Sequence, residues 1–315
     1  MNRPADERQK RLAQLKREVT RRDFDRHASF LKDVSELPAE FQSPAAAELS
    51  VRETIQKIIV FPPQIWRGGN YVPRQVLLFT STGIVHLVGS IWPDEPAQAT
   101  YFNGCGLLYM DITLLLLYGF LEIAAEGQNL PTQLGVEFNT VAWPLLSMPL
   151  RKLLRATTYV TDNGVIGTSY SQTASQALEE LPLKFSNGVK IHGLLPGEHL
   201  EELTFQPGSY KRWLYFFRKP ITANTLLLLT TSFVVLIRED LIVPQGWILT
   251  YIPRECISEI QHQASDLSHE IIFRLKRANQ SAEYKLQLAG EAVGAWQLQW
   301  LQHGGQWKDL TVPVD

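Results

Sequence analysis

The sequence predicts a mainly β chain of the α+β class. It reads as two tandem small antiparallel barrels or sandwiches, each capped by a C-terminal helix, with a basic helix ahead of both. Three observations carry this prediction. Residues 77–102 and 227–252 form an ungapped internal repeat at an offset of 150 residues, and a repeat of that length speaks for architecture ahead of any motif. Short stretches alternate apolar with polar residues at a period of two, as half-buried strands do. Each copy then ends in an apolar stretch of helical spacing with a tryptophan, Trp143 in the first and Trp296 with Trp300 in the second.

Taken in order, residues 1–47 read as a basic helical arm and linker. Arg8, Lys10, Arg11, Lys16, Arg17, Arg21, Arg22 and Arg26 outnumber the acids, and Leu12, Leu15 and Val19 recur at helical spacing. Pro38 and the run Ser43-Pro44-Ala45-Ala46-Ala47 punctuate the chain as a linker would. The first domain spans 48–155. Ile55 to Phe61 reads as a strand closed by Pro62-Pro63, and Val76 to Val88 reads as two strands turning at Ser81-Thr82-Gly83, where glycine frees the backbone. Leu114–Ile123 and Leu134–Phe138 read as a hairpin across Glu126–Asn129, and Trp143 to Leu154 as the closing helix.

A connector, 156–190, holds the hairpin signal Asp162-Asn163-Gly164 and a short helix from Gln172 to Glu180. The second domain, 191–305, repeats the order: Glu198–Phe205 mirrors Glu53–Val60, a strand pair meets near Thr230, and a hairpin joins Glu270–Lys276 to Glu283–Leu288. Val293, Trp296 and Trp300 share one face of the last helix, with Trp143 as the counterpart of Trp296, and 306–315 form a tail.

Composition is that of a soluble globular protein, 45% apolar and 20% charged. A net charge of −2 argues against nucleic acid as a partner, since no global attraction to phosphate exists. The two cysteines, Cys105 and Cys256, occupy nearly equivalent points of different copies, so no mutual disulfide is expected and a cytoplasmic setting fits, with peripheral placement at the inner membrane surface as the extension. The N-terminus is charged from Arg3 with no apolar run behind it, so no secretory signal is expected. Gly104–Leu121 is long enough to cross a bilayer, but Asp111 inside it carries an insertion cost of roughly 2.5–3.5 kcal/mol near a helix centre. Buried strands are the better reading.

The second copy resembles the bacterial branch of the pleckstrin-homology-like (PH-like) domains. The resemblance rests on Leu194-Leu195-Pro196-Gly197-Glu198 ahead of the first strand and on Leu228-Leu229-Thr230 entering the second strand pair. Tyr251-Ile252-Pro253-Arg254-Glu255-Cys256-Ile257 and the Trp296 helix complete it. It covers about a hundred residues per copy. Thr231-Ser232-Phe233 stands where that family often has Asn-x-Arg, and the first copy has Val51-Arg52-Glu53 and Asn103-Gly104-Cys105 at the matching places, so it is the more diverged.

The resemblance implies an anion-binding role for cations on and after the first strands. The stretch Tyr210-Lys211-Arg212-Trp213-Leu214-Tyr215-Phe216-Phe217-Arg218-Lys219 supplies the candidates Lys211, Arg212, Arg218 and Lys219, with Arg67 and Arg74 as the sparse counterparts in the first copy. The plainer reading is a strand with a solvated basic face and a buried aromatic face. No phosphate loop, dinucleotide fingerprint, nucleophile elbow or zinc-protease pair occurs, so neither cofactor nor catalysis is expected. His192, Glu198 and His199, and His262, Asp266 and His269, lack the spacing of a recognised metal site. Cys256 reads as a small apolar contact and not as an arginine-activated thiolate. The expected function is a non-catalytic binding or scaffold protein recognising a protein or peptide. The alternatives are peripheral binding to anionic lipid headgroups through the basic arm and residues 210–219, or an enzyme using the cleft between domains. The sequence leaves oligomeric state open.

Overall fold

A computed structural model describes residues 5–21, 27–49, 53–65, 69–127, 131–157, 168–213, 217–264 and 268–310. The chain is mainly β with several helices. Helix α1 (Ala5–Arg21) begins with Asp6 and Glu7 in its first turn, where carboxylates meet the positive end of the helix dipole. It buries Leu15 and Val19 and packs on β3 and β4 (Gln64–Ile65 and Tyr71–Val72), so the basic arm is a helix laying one apolar stripe on its unit. Strand β1 (Ser29–Leu31) follows, then helix α2 (Ala39–Glu48). The linker expected up to residue 47 is thus a helix in its second half. Phe41 and Ala45 are wholly buried there beneath a sheet, and that burial outweighs the break in hydrogen bonding that Pro44 imposes.

The first copy continues with β2 (Ile55–Phe61), β5 (Gln75–Thr80), β6 (Gly83–Val88) and β7 (Gln98–Asn103). Next come β8 (Leu107–Leu115), β9 (Tyr118–Ala125), β10 (Thr132–Asn139) and α3 (Trp143–Thr157). The expected strand from Leu114 to Ile123 is cut at Leu116-Leu117. Leu116 turns with φ +52°, and both leucines are 69% exposed, a turn built without glycine or asparagine and so invisible to composition. Pro144 sits in the first turn of α3 as expected, and Pro149 lies inside the helix without ending it. Trp143 is the half-buried first residue of α3, whereas Trp296 is the seventh of its helix and 1% exposed, so the two are not positional counterparts.

In the connector, β11 is Ser169–Tyr170, α4 runs Gln172–Glu180 as expected, and α5 (Leu183–Gly188) leads into a π-helical turn, Val189–Gly193. Asp162-Asn163-Gly164 lies outside the described residues. The second copy comprises β12 (His199–Gln206), β13 (Ser209–Trp213), β14 (Phe217–Thr222), β15 (Thr225–Thr230) and β16 (Phe233–Arg238). Strands β17 (Trp247–Pro253), β18 (Ile257–Ala264), β19 (His269–Arg277) and β20 (Gln280–Leu288) follow, then α6 (Gly290–Gln302) and β21 (Trp307–Leu310). Along β20, Tyr284, Leu286 and Leu288 are buried and Lys285 and Gln287 exposed, the alternation the sequence predicts.

The two copies share local devices. β2 and β12 each carry a register shift two residues into their pairing, at Ile55/Lys57 and Leu200/Glu202. Thr80 and Thr230 each close their turn twice: the hydroxyl donates to the carbonyl three residues on and accepts that residue's N–H. Glu53 accepts from Thr82, and Glu198 from Thr231 and the Ser232 N–H. Gly83 is required by closeness, not by turn conformation. A Cβ there would stand 2.1 Å from the Phe102 carbonyl oxygen.

The chain divides into two compact units. The first comprises Met1–Cys105, Leu117–Gly119 and Val136–Ala156, and its sheet runs β1-β2-β5-β6-β7. Phe41 and Ala45 of α2 pack there on Ile58, Val60, Val76, Leu78, Val85 and Leu87. The second comprises Gly106–Leu116, Phe120–Gly135 and Thr157–Asp315, so it takes in β8, which the repeat places in the first copy. β8 pairs with β17, Thr250 lying opposite Asp111. The core of the second unit centres on Phe273, Trp296 and Trp300, with Leu227, Leu229, Val234 and Leu236 across from them.

Among the described residues the sheets are open, and none is closed into a barrel, one of the two forms expected from the sequence. The eight-stranded sheet runs β10-β9-β8-β17-β16-β15-β12-β11 and the four-stranded one β20-β19-β18-β21. The short helical turn Arg254–Cys256 interrupts the chain between β17 and β18, so β17 ends in one sheet and β18 begins the next.

His86, buried on β6 with Nε2 3.1 Å from Gln75 Oε1, is held by burial at a pKa of about 4. A folded pKa below the unfolded value near 6.5 means its stabilising share is complete above pH 6.5 and drains as pH falls toward 4. Chemical denaturation should therefore show the first unit losing up to about 3 kcal/mol over that window, and His86→Gln should flatten the loss.

Candidate functional site

β13 and β14 form a two-stranded hairpin of their own, inserted between β12 and β15. Their register sets Lys211 opposite Lys219, Arg212 opposite Arg218 and Trp213 opposite Phe217. Because side chains alternate across a strand, the lysine pair shares a face with Trp213 and Phe217, and the arginine pair shares the other with Tyr210 and Pro220. On this register cations stand on both faces of the strand pair, and Tyr210, expected on a buried aromatic face, is 58% exposed. Like charges directly opposite oppose pairing, so the hairpin holds an unfavourable arrangement that an anion would relieve. Lys211, Lys219 and Tyr210 are exposed, and neither lysine has an ion-pair partner among the described residues. Leu214, Tyr215 and Phe216 lie outside the described residues.

The base of the hairpin is fixed by side chains that no motif announces. The Gly208 N–H donates to Asn224 Oδ1 at 2.6 Å, and Asn224 Nδ2 donates to Glu239 Oε2 at 2.5 Å. Lys184 of α5 donates to Glu239 Oε1 at 2.5 Å and to the Pro244 carbonyl, with its ammonium 4.6 Å from the centre of the Trp247 ring. One end of the second unit thereby gathers the hairpin, the start of α5 and the loop after β16. Leu183 there is 75% exposed, Ile242 84% and Leu241 42%. Leucines and isoleucines in a sequence read as core, and nothing local marks these as exposed.

The first-copy counterparts differ. β3 and β4 are two residues each, Arg67 lies outside the described residues, and Arg74 pairs with Glu40 at 3.3 Å.

A buried polar cluster lies elsewhere in the second unit. Asp111 Oδ2 accepts from Tyr284 at 2.8 Å, Thr250 at 3.3 Å and the Arg238 guanidinium at 3.4 Å, and Arg238 also donates to the Tyr284 oxygen at 2.6 Å. Burial pushes the Asp111 carboxyl up, with Arg238 opposing, and burial beside Asp111 pushes the Tyr284 phenol up. Asp111 Oδ1 and Arg238 Nε are shut from solvent without a partner among the described residues. The arrangement fastens β8, β16, β17 and β20, and the raised phenol is no nucleophile.

The remaining candidates disperse. Glu198 is committed to the turn at Thr231, His199 Nδ1 lies 2.8 Å from Ser169 Oγ, and His192 sits in the π-helical turn. Among the described residues no carboxylate orients His199, so the serine–histidine contact lacks the third member of a nucleophilic triad. His262 and His269 lie on neighbouring strands, not on a helix; Asp266 lies outside the described residues. Among the described residues no three ligating groups gather as a metal would require. Cys256 is buried with its thiol pushed up by burial, Arg277 opposing, and both cysteines are free. No helix among the described residues is long and apolar enough to cross a membrane.

No family model matches the chain, and no curated protein shows significant similarity to it.

Tyr284→Phe should lower the stability of the second unit by about 1–3 kcal/mol, since Asp111 loses its shortest donor. Asp111→Ala should cost more, about 3–5 kcal/mol, by stranding the Arg238 charge; urea melts of the two variants test the order.

Proposed function

We propose that the chain is a non-catalytic binding protein of two tandem PH-like units that recognises an acidic protein or peptide segment through the β13–β14 hairpin. Both copies run in the same order: a four-stranded antiparallel set, a short helical turn, three further strands and a closing helix. That order supports the PH-like reading, as does the shared threonine turn. Fold alone does not name a partner.

The observation that carries the partner class is the hairpin register. The register sets two cation pairs at successive places of the strand pair, which strand alternation turns to opposite faces. A flat bilayer meets one face at a time, whereas a polypeptide can pass around the strand pair and place carboxylates on both, with bidentate contacts to the arginines. A second reading is docking to anionic lipid headgroups. Exposed Leu183, Leu241 and Ile242 at the end of the unit where the hairpin is rooted favour it, since apolar side chains enter the interface while ammonium groups hold phosphates.

The two readings part cleanly in one set of proteins. The immobilised full chain should capture acidic partners identifiable by mass spectrometry, and both Lys211→Glu with Lys219→Glu and Arg212→Glu with Arg218→Glu should cut capture at least about tenfold. Cosedimentation with phosphatidylglycerol vesicles at physiological salt that vanishes in the lysine pair variant and in Ile242→Ser, with no protein captured, would replace the first reading by the second.

A further inference from the structure

The second unit ends in a chain of titratable groups that the binding surface does not use. His262 of β18 sits between two partners. Its Nδ1 is 2.9 Å from Asp309 Oδ1 on β21, and its Nε2 is 2.7 Å from His269 Nδ1 on β19, the imidazoles lying within 10° of parallel at a centroid distance of 5.0 Å. Asp309 also accepts from the Trp307 indole at 3.1 Å, and burial together with the His262 charge holds the His269 imidazole below its usual range.

Hydrogen counting fixes what this chain tolerates. Asp309 is a carboxylate acceptor, so His262 Nδ1 carries a hydrogen. With both rings neutral, His269 Nδ1–H donates to His262 Nε2. With one added proton, His262 Nε2–H donates back to His269 Nδ1, and the Asp309 charge is compensated. A second proton puts two N–H groups head to head at 2.7 Å and two cations in stacked rings, and the contact must open. Nor can His269 escape toward α6: its Nε2 is packed against Gly290, where an added Cβ would stand 2.7 Å away, and Gly290 opens the helix, whose N-terminal end disfavours a cation.

What the contact holds is β21. This strand is four residues long, parallel to β18, and registers Asp309 beside His262. Besides its pairing with β18, its ties are the Gln306 carbonyl, taking the Ile260 N–H at 3.0 Å and the Trp300 indole at 3.1 Å, and the edge-to-face packing of Trp307 against Trp296 at 5.8 Å. We propose that Asp309, His262 and His269 form a proton-operated latch on the C-terminal strand β21, shut while the three groups hold at most one added proton and sprung by the second, which bares the edge of β18. Of the charged neighbours along these strands, Glu270 beside His269 pairs with Lys285 of β20 at 3.5 Å and Lys308 precedes Asp309 on β21, while the uncharged Gln297 of α6 reaches Asp309. Because the His269 imidazole binds its proton less readily folded than unfolded, its stabilising share is complete above about pH 6.5 and drains as pH falls below that, the latch itself opening when the second proton enters.

The test follows the Trp307 indole ¹H–¹⁵N resonance and amide exchange of 307–310, corrected for intrinsic rates, on the full chain from pH 7.5 to 4.5. Protection of β21 should fall at least about tenfold per pH unit once the second proton enters, while β15 and β16 stay protected. His269→Gln, which can still donate to His262 but cannot take the proton, should keep β21 protected across the range; His262→Ala should leave it unprotected throughout. Protection of wild-type β21 unchanged to pH 4.5, or loss at the same pH in His269→Gln, would overturn the latch.

Discussion

One carboxylate oxygen fixes the second unit. Asp111 Oδ2 draws the donors of Tyr284, Thr250 and Arg238 onto itself, joining β8 and β17 of one sheet, β16 beside them and β20 of the other sheet. Removing a charge from water is costly unless it is paired, so losing any of the three donors to Oδ2 leaves the carboxylate more exposed to that cost, and the cluster favours the strand arrangement that keeps them together. It decides where β8 goes. The sequence of β8 belongs to the first repeat, but the strand lies in the second unit, in register with β17 from Trp247↔Leu114 to Tyr251↔Met110.

The cluster also shows why reading the chain alone stops where it does. The period-two alternation of β20, the continuous apolar run of β2 and the turn between β5 and β6 were legible, because neighbours in sequence are neighbours in space. Asp111 was legible only as a charge too expensive for a membrane span; its partners Arg238, Thr250 and Tyr284 lie 127, 139 and 173 residues away, and no local pattern joins them. The turn at Leu116-Leu117 and the helix α2 across Pro44 were hidden for a related reason. Tertiary burial of Phe41, and the pairing of β8 and β9 in adjacent places of one sheet, override residue preferences that point the other way. The cations of 210–219 were legible, but the placing of like charge opposite like charge was not, since it depends on register.

The two copies keep common devices and differ in what they insert. Thr80 and Thr230, Glu53 and Glu198, and the paired register shifts in β2 and β12 do the same structural work in each. Between the first and second long strands, though, the first copy has the two-residue strands β3 and β4, with Arg74 held by Glu40. The second has a longer hairpin whose cations face cations, fastened by Asn224, Glu239 and Lys184 to a rim of exposed Leu183, Leu241 and Ile242. A conserved frame with one elaborated insertion is how a binding surface is added without disturbing a core.

The claim on which these arguments rest is that β8 folds and opens with the second unit. Native-state hydrogen exchange of the full chain in low urea measures this directly, because amides of one cooperative unit share an opening free energy and a urea dependence. The amides of Leu107–Leu115 should merge with those of β16 and β17 into a single isotherm. Merging with β5 and β6 instead would contradict the assignment of β8 and the role given to Asp111.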